Sequence, residues 1–86
     1  MTDPLPDLVL YRRDGCHLCD DARAIVEGVL ADHPGVEFEE LSILDDPELL
    51  EAYVEEIPVV LIDDRVHTIW RVDEARLRTA LAAASA

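Results

Sequence analysis

Short apolar runs alternate with helical apolar stripes along the first half of the chain. Residues 8–11, Leu-Val-Leu-Tyr, form an apolar run between turn residues, which is typical of a buried central strand. The stretch that follows predicts a helix, because its apolar residues repeat at the spacing of one helix face. These residues are Leu18, Ala22, Ile25, Val26, Val29 and Leu30. His33-Pro34-Gly35 predicts the end of this helix.

The second half of the chain repeats the alternation and adds a hairpin. We predict a strand over 36–43 and then a short helix with Asp46 as its N-cap. A hairpin follows, with strands over 59–62 and 65–70 joined by an Asp63-Asp64 turn. Asp73 is predicted to cap a last helix. The inward face of that last helix is predicted from the spacing of Leu77, Ala80 and Leu81.

The element order β-α-β-α-β-β-α indicates an α/β fold. A strand–helix–strand unit gives a parallel pair, and the two-residue turn adds an antiparallel hairpin, so we expect a four-stranded mixed sheet. The 86 residues suit a single domain over 1–86, with its core over 8–82 and a loose stretch over 1–7.

Composition and charge narrow the classes of function. Twenty Asp and Glu residues against seven Arg and no Lys give a formal net charge of −13. Such a surface repels phosphate backbones and anionic lipid, so we expect neither nucleic-acid nor membrane partners. The sequence has no apolar run of about 18 residues and no basic segment followed by an apolar one at its start. We therefore expect a cytoplasmic protein, and a monomer.

The two cysteines, Cys16 and Cys19, lie at the junction between the first strand and the first helix. A C-x-x-C motif in this context is a redox signal. Cys16 falls in the first helical turn, where unpaired N–H groups and the helix dipole stabilise a thiolate. Cys19 lies one turn further on, hidden and within reach of Cys16. The pair therefore suits attack on a disulfide by Cys16 and resolution by Cys19.

Three other interpretations of the cysteine pair compete with the redox one. A structural disulfide closing so short a loop would add only about 2 kcal/mol. Structural zinc needs four ligands, and His17, His33 and His67 are scattered without a second pair, so we expect no metal site. The third is a pair of inert buried thiols. Under the redox interpretation, a partly protonated His17 would help to stabilise the thiolate.

Together with Ile57-Pro58-Val59, these motifs make the chain resemble the glutaredoxins and other redoxins of the thioredoxin fold. The stretch over 11–19, Tyr-Arg-Arg-Asp-Gly-Cys-His-Leu-Cys, is similar to the glutaredoxin pattern Tyr-x-Lys-x-Gly-Cys-Pro-Tyr-Cys. The resemblance covers 8–82. It is strongest to small bacterial glutaredoxin-like proteins with Cys-His-Leu-Cys near the start and Trp-x-x-Asp near the end, which here is Trp70 to Asp73.

The resemblance implies roles for residues outside the cysteine motif. Arg13 stands where the family has a lysine that contacts glutathione. Ile57-Pro58 matches the family's Val-Pro element, whose proline is cis and faces the cysteines, and the backbone of Ile57 would hold a substrate chain as an added strand. Asp73 fits the aspartate that ends the family's Gly-Gly-x-x-Asp signature.

The chain departs from the family pattern at Trp70. The two glycines of the signature align with Ile69 and Trp70, and those glycines admit the γ-glutamyl carboxylate of glutathione. Trp70 would fill that space, which disfavours glutathione as a co-substrate, although Arg13 and Arg71 could still meet a carboxylate. We expect Trp70 to be either a core plug or an anchor for a protein substrate.

The function expected from these observations is dithiol–disulfide oxidoreductase activity on protein or small-molecule disulfides. No resident cofactor is expected, and glutathione or a thioredoxin-reductase-type system would supply the electrons. Two alternatives belong to other classes. One is a carrier that binds an Fe–S cluster or metal between subunits through Cys16 and an exogenous thiol. The other is a non-catalytic protein-binding module of redoxin shape.

Overall fold

Four strands form one mixed sheet in the computed structural model, which describes residues 6–85. The strands are β1 (Asp7–Arg12), β2 (Glu37–Ser42), β3 (Val59–Ile62) and β4 (Arg65–Ile69). Their order across the sheet is β2-β1-β3-β4. β1 runs parallel to β2 and antiparallel to β3, and β3 runs antiparallel to β4. The predicted α/β fold with a four-stranded mixed sheet is confirmed.

Three helices connect the strands in the predicted order. They are α1 (His17–Ala31), α2 (Pro47–Tyr53) and α3 (Glu74–Ser85). Asp46 caps α2, since its Oδ1 accepts the N–H of Glu48 at 2.9 Å, and Asp73 caps α3 by accepting the N–H of Arg76 at 2.9 Å. Both caps were predicted and both are confirmed. Within residues 6–85, no helix is long and apolar enough to cross a membrane.

The main core lies between one face of the sheet and helices α1 and α3. Its buried side chains are Leu8, Leu10, Ala22, Val26, Val29, Val60, Ile62, Val72, Leu77 and Leu81. Successive strand residues point to opposite faces, so the buried Val59 and Leu61 face away from this core. On that second face Tyr11 packs against Tyr53 of α2, with ring centroids 5.1 Å apart. β1 and β3 are therefore covered on both faces.

The strand boundaries differ from the prediction at β1. β1 begins at Asp7, where the N–H of Asp7 donates to Asp63 Oδ1 and the N–H of Asp63 donates to Asp7 O, each at 3.0 Å. Asp7 thus belongs to the sheet and Pro6 is fully buried, so neither lies in a loose stretch, while residues 1–5 of that prediction lie outside the described residues. Asp63 and Asp64 both have positive φ, 51° and 66°, as the mirror-image turns of tight hairpins require.

The other boundary differences have local causes. β2 ends at Ser42 instead of residue 43, because the Ser42 hydroxyl accepts the N–H of Leu44 at 3.3 Å and starts a 3₁₀ turn over Ile43–Asp45. That turn buries Ile43 completely. β4 ends at Ile69 instead of residue 70, because Trp70 adopts a φ of 68°, which no extended strand can contain.

Candidate functional site

The cysteine motif lies at the end of the sheet where β1 leads into α1. β1 ends at Arg12, and Gly15 turns the chain with a φ of +78°, a conformation that glycine adopts without a steric penalty. Cys16 follows with extended backbone angles (φ −98°, ψ 112°) and is the N-cap of α1. The Asp14-Gly15-Cys16 turn therefore delivers the first cysteine to the positive end of a 15-residue helix.

A hydrogen bond links the thiol of Cys16 to the backbone of Cys19. Cys16 Sγ accepts the N–H of Cys19 at 3.2 Å, in the geometry of an N-cap side chain. Both thiols are free. Cys16 is half-buried, whereas Cys19 is only 1% exposed. A negatively charged sulfur at the Cys16 position is thus stabilised by an N–H group and by the helix dipole, while Cys19 is withheld from solvent.

The buried thiol of Cys19 is a weak acid. Burial is the main cause, and together with a hydrogen bond to Cys16 it raises the pKa of Cys19 to about 12. A backbone hydrogen bond from Arg13 opposes this rise in pKa. At neutral pH Cys19 is therefore a protonated thiol beside the more accessible Cys16. The two sulfurs have the unequal surroundings that attack and resolution would need.

Arg12 fixes the loop that precedes Cys16, and the sequence prediction did not include it among the site residues. Its guanidinium lies 3.0 Å from Asp14 Oδ1 in that loop and 3.1 Å from Glu40 Oε1 of β2. Arg23 of α1 reaches the same Glu40 carboxylate at 3.4 Å. The hydrogen bond that Arg12 donates to Asp14 raises the pKa of Arg12 above its usual value. The only indication of these ion pairs in the sequence was that Arg12 and Asp14, of opposite charge, lie two residues apart.

Ile57 and Pro58 lie at the same end of the sheet as the cysteines. Val59, the next residue, pairs with Tyr11, and Tyr11 is one residue from the end of β1. The Ile57–Pro58 peptide bond is cis, as the resemblance implied. Pro58 is fully buried and Ile57 is half-buried.

The remaining predicted residues divide into two groups. His17, Arg13 and Arg71 are exposed around this end of the sheet, with His17 as the first residue of α1. Asp73, by contrast, uses its side chain to cap α3. The contact that the structure gives Asp73 is therefore a structural one.

Trp70 is not a core plug: its side chain is 55% exposed. Its backbone has a φ of 68°, and the N–H of Arg71 donates to Ile69 O at 2.9 Å across it, which makes a tight three-residue turn. A non-glycine residue in this region costs about 1–2 kcal/mol. Two bonds hold it there: Trp70 N–H donates to Pro58 O, and Nε1–H donates to Glu55 O, each at 2.9 Å.

A groove of about 160 Å³ separates Trp70 from the first turn of α1. Its lining residues are Leu18, Asp21, Ala22, Ile25, Trp70, Arg71 and Val72. Leu18 shares the predicted apolar face of α1 with Ala22 and Ile25, but it lies at the open end of that face and is 37% exposed. The chain opposite Leu18 is the segment between β4 and α3, and Trp70 of that segment does not cover it. An exposed leucine, two residues after Cys16 in the chain, and an exposed tryptophan thus face one groove.

Within residues 6–85, no group of three or more His, Cys, Asp and Glu side chains could hold a metal ion. His33 and His67 are half-buried and lie away from the cysteine pair in the chain. Burial lowers the pKa of His67, and the charge of Arg76 lowers it further. Cys16 and Cys19 could thus supply two sulfur ligands to a metal ion, but no third protein ligand lies with them among the described residues.

Comparison with known proteins places this fold and motif in a family. The family model described as Glutaredoxin-like domain (DUF836) matches residues 7–82. An uncharacterised protein of Mycobacterium tuberculosis is 30% identical over 81 residues, which cover 90% of this chain and 84% of that protein. The crystal structure of protein XcR50 from X. campestris is 39% identical, with a TM-score of 0.73, and the match covers 90% of this chain and 97% of that one.

A more distant match extends the likeness of fold. The crystal structure of Fasciola hepatica thioredoxin has a TM-score of 0.68 at 21% identity, covering 95% of this chain and 83% of the thioredoxin. This match shows the thioredoxin fold alone. The predicted thioredoxin-type, glutaredoxin-like fold is confirmed, and with the Cys16–Cys19 pair it indicates a redox-type role. Since the family model spans nearly the whole chain, the protein belongs to the glutaredoxin-like domain family DUF836.

Proposed function

We propose that the protein is a dithiol–disulfide oxidoreductase in which Cys16 attacks and Cys19 resolves. The observation that carries the proposal is the unequal placement of two free thiols one helical turn apart. Cys16 caps α1 and accepts the N–H of Cys19, whereas Cys19 is 1% exposed and protonated. A free dithiol of this kind persists in a reducing compartment, so we place its action in the cytoplasm.

The first step joins Cys16 to the substrate. The Cys16 thiolate attacks one sulfur of a substrate disulfide, so that a new S–S bond forms and the substrate S–S bond breaks. The departing sulfur leaves as a thiolate and takes a proton from solvent. The half-buried sulfur at the helix N-terminus suits this step, because the N–H of Cys19 and the helix dipole stabilise its anion before attack.

The second step releases the product. Cys19 loses its proton to solvent and attacks Cys16 Sγ, so that the Cys16–Cys19 bond forms, the mixed disulfide bond breaks, and the second substrate sulfur leaves as a thiolate that takes a proton from solvent. The substrate has then gained two electrons and two protons, and Cys16 and Cys19 form a disulfide. Cys16 itself helps to raise the pKa of Cys19, through its hydrogen bond and its charge. Formation of the mixed disulfide removes that charge, so Cys19 becomes more acidic at the stage when it must react.

The backbone beside Pro58 is a surface along which the substrate chain could bind. Ile57 is half-buried and lies at the same sheet end as the cysteines. A substrate segment could lie there as an added strand, as extended peptides do at exposed backbone edges. The oxidised pair then needs two electrons from a thiol donor, either glutathione or a dithiol reductase.

Serine variants test the proposal directly. Cys16→Ser should abolish turnover of bis(2-hydroxyethyl) disulfide, whereas Cys19→Ser should accumulate a mixed disulfide that mass spectrometry detects. A titration of free thiols across a redox buffer series should show one two-electron transition for the wild type. The proposal fails if that titration shows no reversible Cys16–Cys19 disulfide.

The electron donor is tested in parallel assays. One contains glutathione with glutathione reductase, and the other contains a thioredoxin reductase. We expect the glutathione assay to be the weaker, because Trp70 occupies the position at which the resemblance implies a glycine. Turnover with glutathione at rates equal to those with the reductase would contradict that expectation while leaving the dithiol chemistry intact.

A further inference from the structure

Trp70 combines three properties that packing does not explain. Its backbone lies in the left-handed region, its indole is 55% exposed, and its main-chain and ring N–H groups are both hydrogen-bonded, to Pro58 O and Glu55 O. Apolar burial normally repays a strained backbone, and here more than half of the ring is left in water. Two hydrogen bonds thus hold Trp70 in a strained backbone conformation while its ring faces solvent.

The ring is presented to a groove that begins at the cysteine motif. Leu18 lies two residues after Cys16, is 37% exposed, and lines the same groove as Trp70. The two side chains form an apolar surface that includes the first turn of α1, the helix that Cys16 caps. An unfilled apolar groove beside a reactive group is the usual form of a recognition site.

Charge around the groove favours a basic occupant. The lining itself carries one acidic residue, Asp21. Arg71 is the single cation among the lining residues. The protein as a whole carries a net charge of −13, which attracts cations over a long range and repels anions such as glutathione.

We propose that the groove between Trp70 and Leu18 docks a segment of a disulfide-bearing protein that has an apolar residue beside its cysteine and basic residues around it. This inference rests on the proposed function, since docking places the substrate disulfide at Cys16. The apolar side chain packs on the indole, and the basic residues are attracted by Asp21 of the lining and by the net negative charge of the protein. Trp70 is then a specificity-determining residue.

The test compares two peptides and one small disulfide. The peptides share one internal disulfide with a leucine beside a cysteine, and they differ in carrying lysines or glutamates on each side. Pre-reduced protein reacts once with each substrate, and chromatography follows the products, so no recycling system is involved. At low salt the lysine peptide should react about tenfold faster than the glutamate peptide, and added salt should shrink this difference.

Two substitutions locate the effect. Trp70→Ala should lower the ratio of the lysine-peptide rate to the bis(2-hydroxyethyl) disulfide rate by about tenfold, as loss of an aromatic anchor does. Val66→Ala is the matched control, because Val66 is 51% exposed but lies beside the hairpin turn at the other end of the sheet. It should leave the ratio unchanged. Trp70→Phe keeps an apolar ring and should retain most of the peptide rate. This variant shows whether the loss in Trp70→Ala comes from the missing ring and not from misfolding.

The outcomes separate the two proposals. The docking inference is overturned if Trp70→Ala leaves the ratio as in the wild type, or if the glutamate peptide reacts as fast as the lysine peptide. It is also overturned if sedimentation shows a wild-type dimer that Trp70→Ala dissociates, because the groove would then bind a second copy. If the wild type reduces neither the peptides nor the small disulfide, the oxidoreductase proposal itself fails.

Discussion

The unequal reactivity of the two thiols gives the sharpest quantitative prediction. A thiolate, not a thiol, reacts with iodoacetamide, so the alkylation rate of a cysteine follows its ionised fraction. With a pKa of about 12, only about one Cys19 in ten thousand is ionised at pH 8. An unperturbed thiol, with a pKa of about 8.5, is about one quarter ionised at the same pH. Cys19 should therefore alkylate about three orders of magnitude more slowly in the folded protein than in the unfolded chain.

The assay is peptide mapping by mass spectrometry at low conversion, with the reduced wild type at pH 8 and with the same protein in concentrated urea. Cys16, which is half-buried, should carry nearly all of the label in the folded protein. From pH 8 to pH 9 the Cys19 rate should still rise about tenfold, because its pKa lies well above this range.

The Cys16→Ser variant separates the causes of the shift in the pKa of Cys19. It removes the charge and the thiol of Cys16 but keeps the burial of Cys19, which is the largest cause. Cys19 should then label faster than in the folded wild type and still much more slowly than in urea. Labelling of wild-type Cys19 within tenfold of the unfolded rate would refute the reasoning, and with it the protected resolving thiol.

Three stability predictions follow from backbone geometry and packing, and urea unfolding followed by circular dichroism measures each. Gly28→Ala should raise the free energy of unfolding by about 1 kcal/mol, since Gly28 is helical with open space at its Cβ position. Gly15→Ala should instead lower the free energy of unfolding by about 1–2 kcal/mol, because the φ of Gly15 is +78°. Equal effects of the two substitutions would contradict the conformational argument. Asp73→Ala should cost about 1 kcal/mol and Asp73→Asn much less, and a loss of disulfide turnover in Asp73→Asn without loss of stability would instead show a role at the site. Leu81→Ala should cost about 2–5 kcal/mol, and a cost below 1 kcal/mol would show that the α3 side of the core is loosely packed.

Features that are local in sequence could be predicted. Asp46-Pro47 and Asp73 are followed by helical patterns, and both aspartates are caps in the structure because a cap requires only the next two or three residues. The Asp63-Asp64 turn was predicted without a glycine, and Asp tolerates the positive φ that the turn imposes. The sheet followed from the order of elements and the rules for connecting them.

Features that depend on contacts between distant segments could not be predicted. Ile43 is a local exception: it fits the alternation of a strand, but the Ser42 hydroxyl accepts the N–H of Leu44 and starts a turn there. The link between Arg12 and Glu40 joins two strands whose register is set by the whole sheet. No pattern in the sequence indicated that Trp70 would adopt a φ of 68°, apart from the resemblance, which implied a glycine at that position.

Leu18 and Trp70 show how a difference between the sequence-based prediction and the structure can be explained physically. Leu18 has the spacing of a core residue in α1, and full burial of a leucine is worth about 1.5–3 kcal/mol, yet it remains 37% exposed. Trp70 carries the strain of a left-handed backbone and still leaves 55% of its side chain in solvent. Each residue forgoes stabilisation that folding alone would favour, and both line one groove at the first turn of α1, the helix that Cys16 caps. Because packing explains neither residue, we attribute both to what the groove binds.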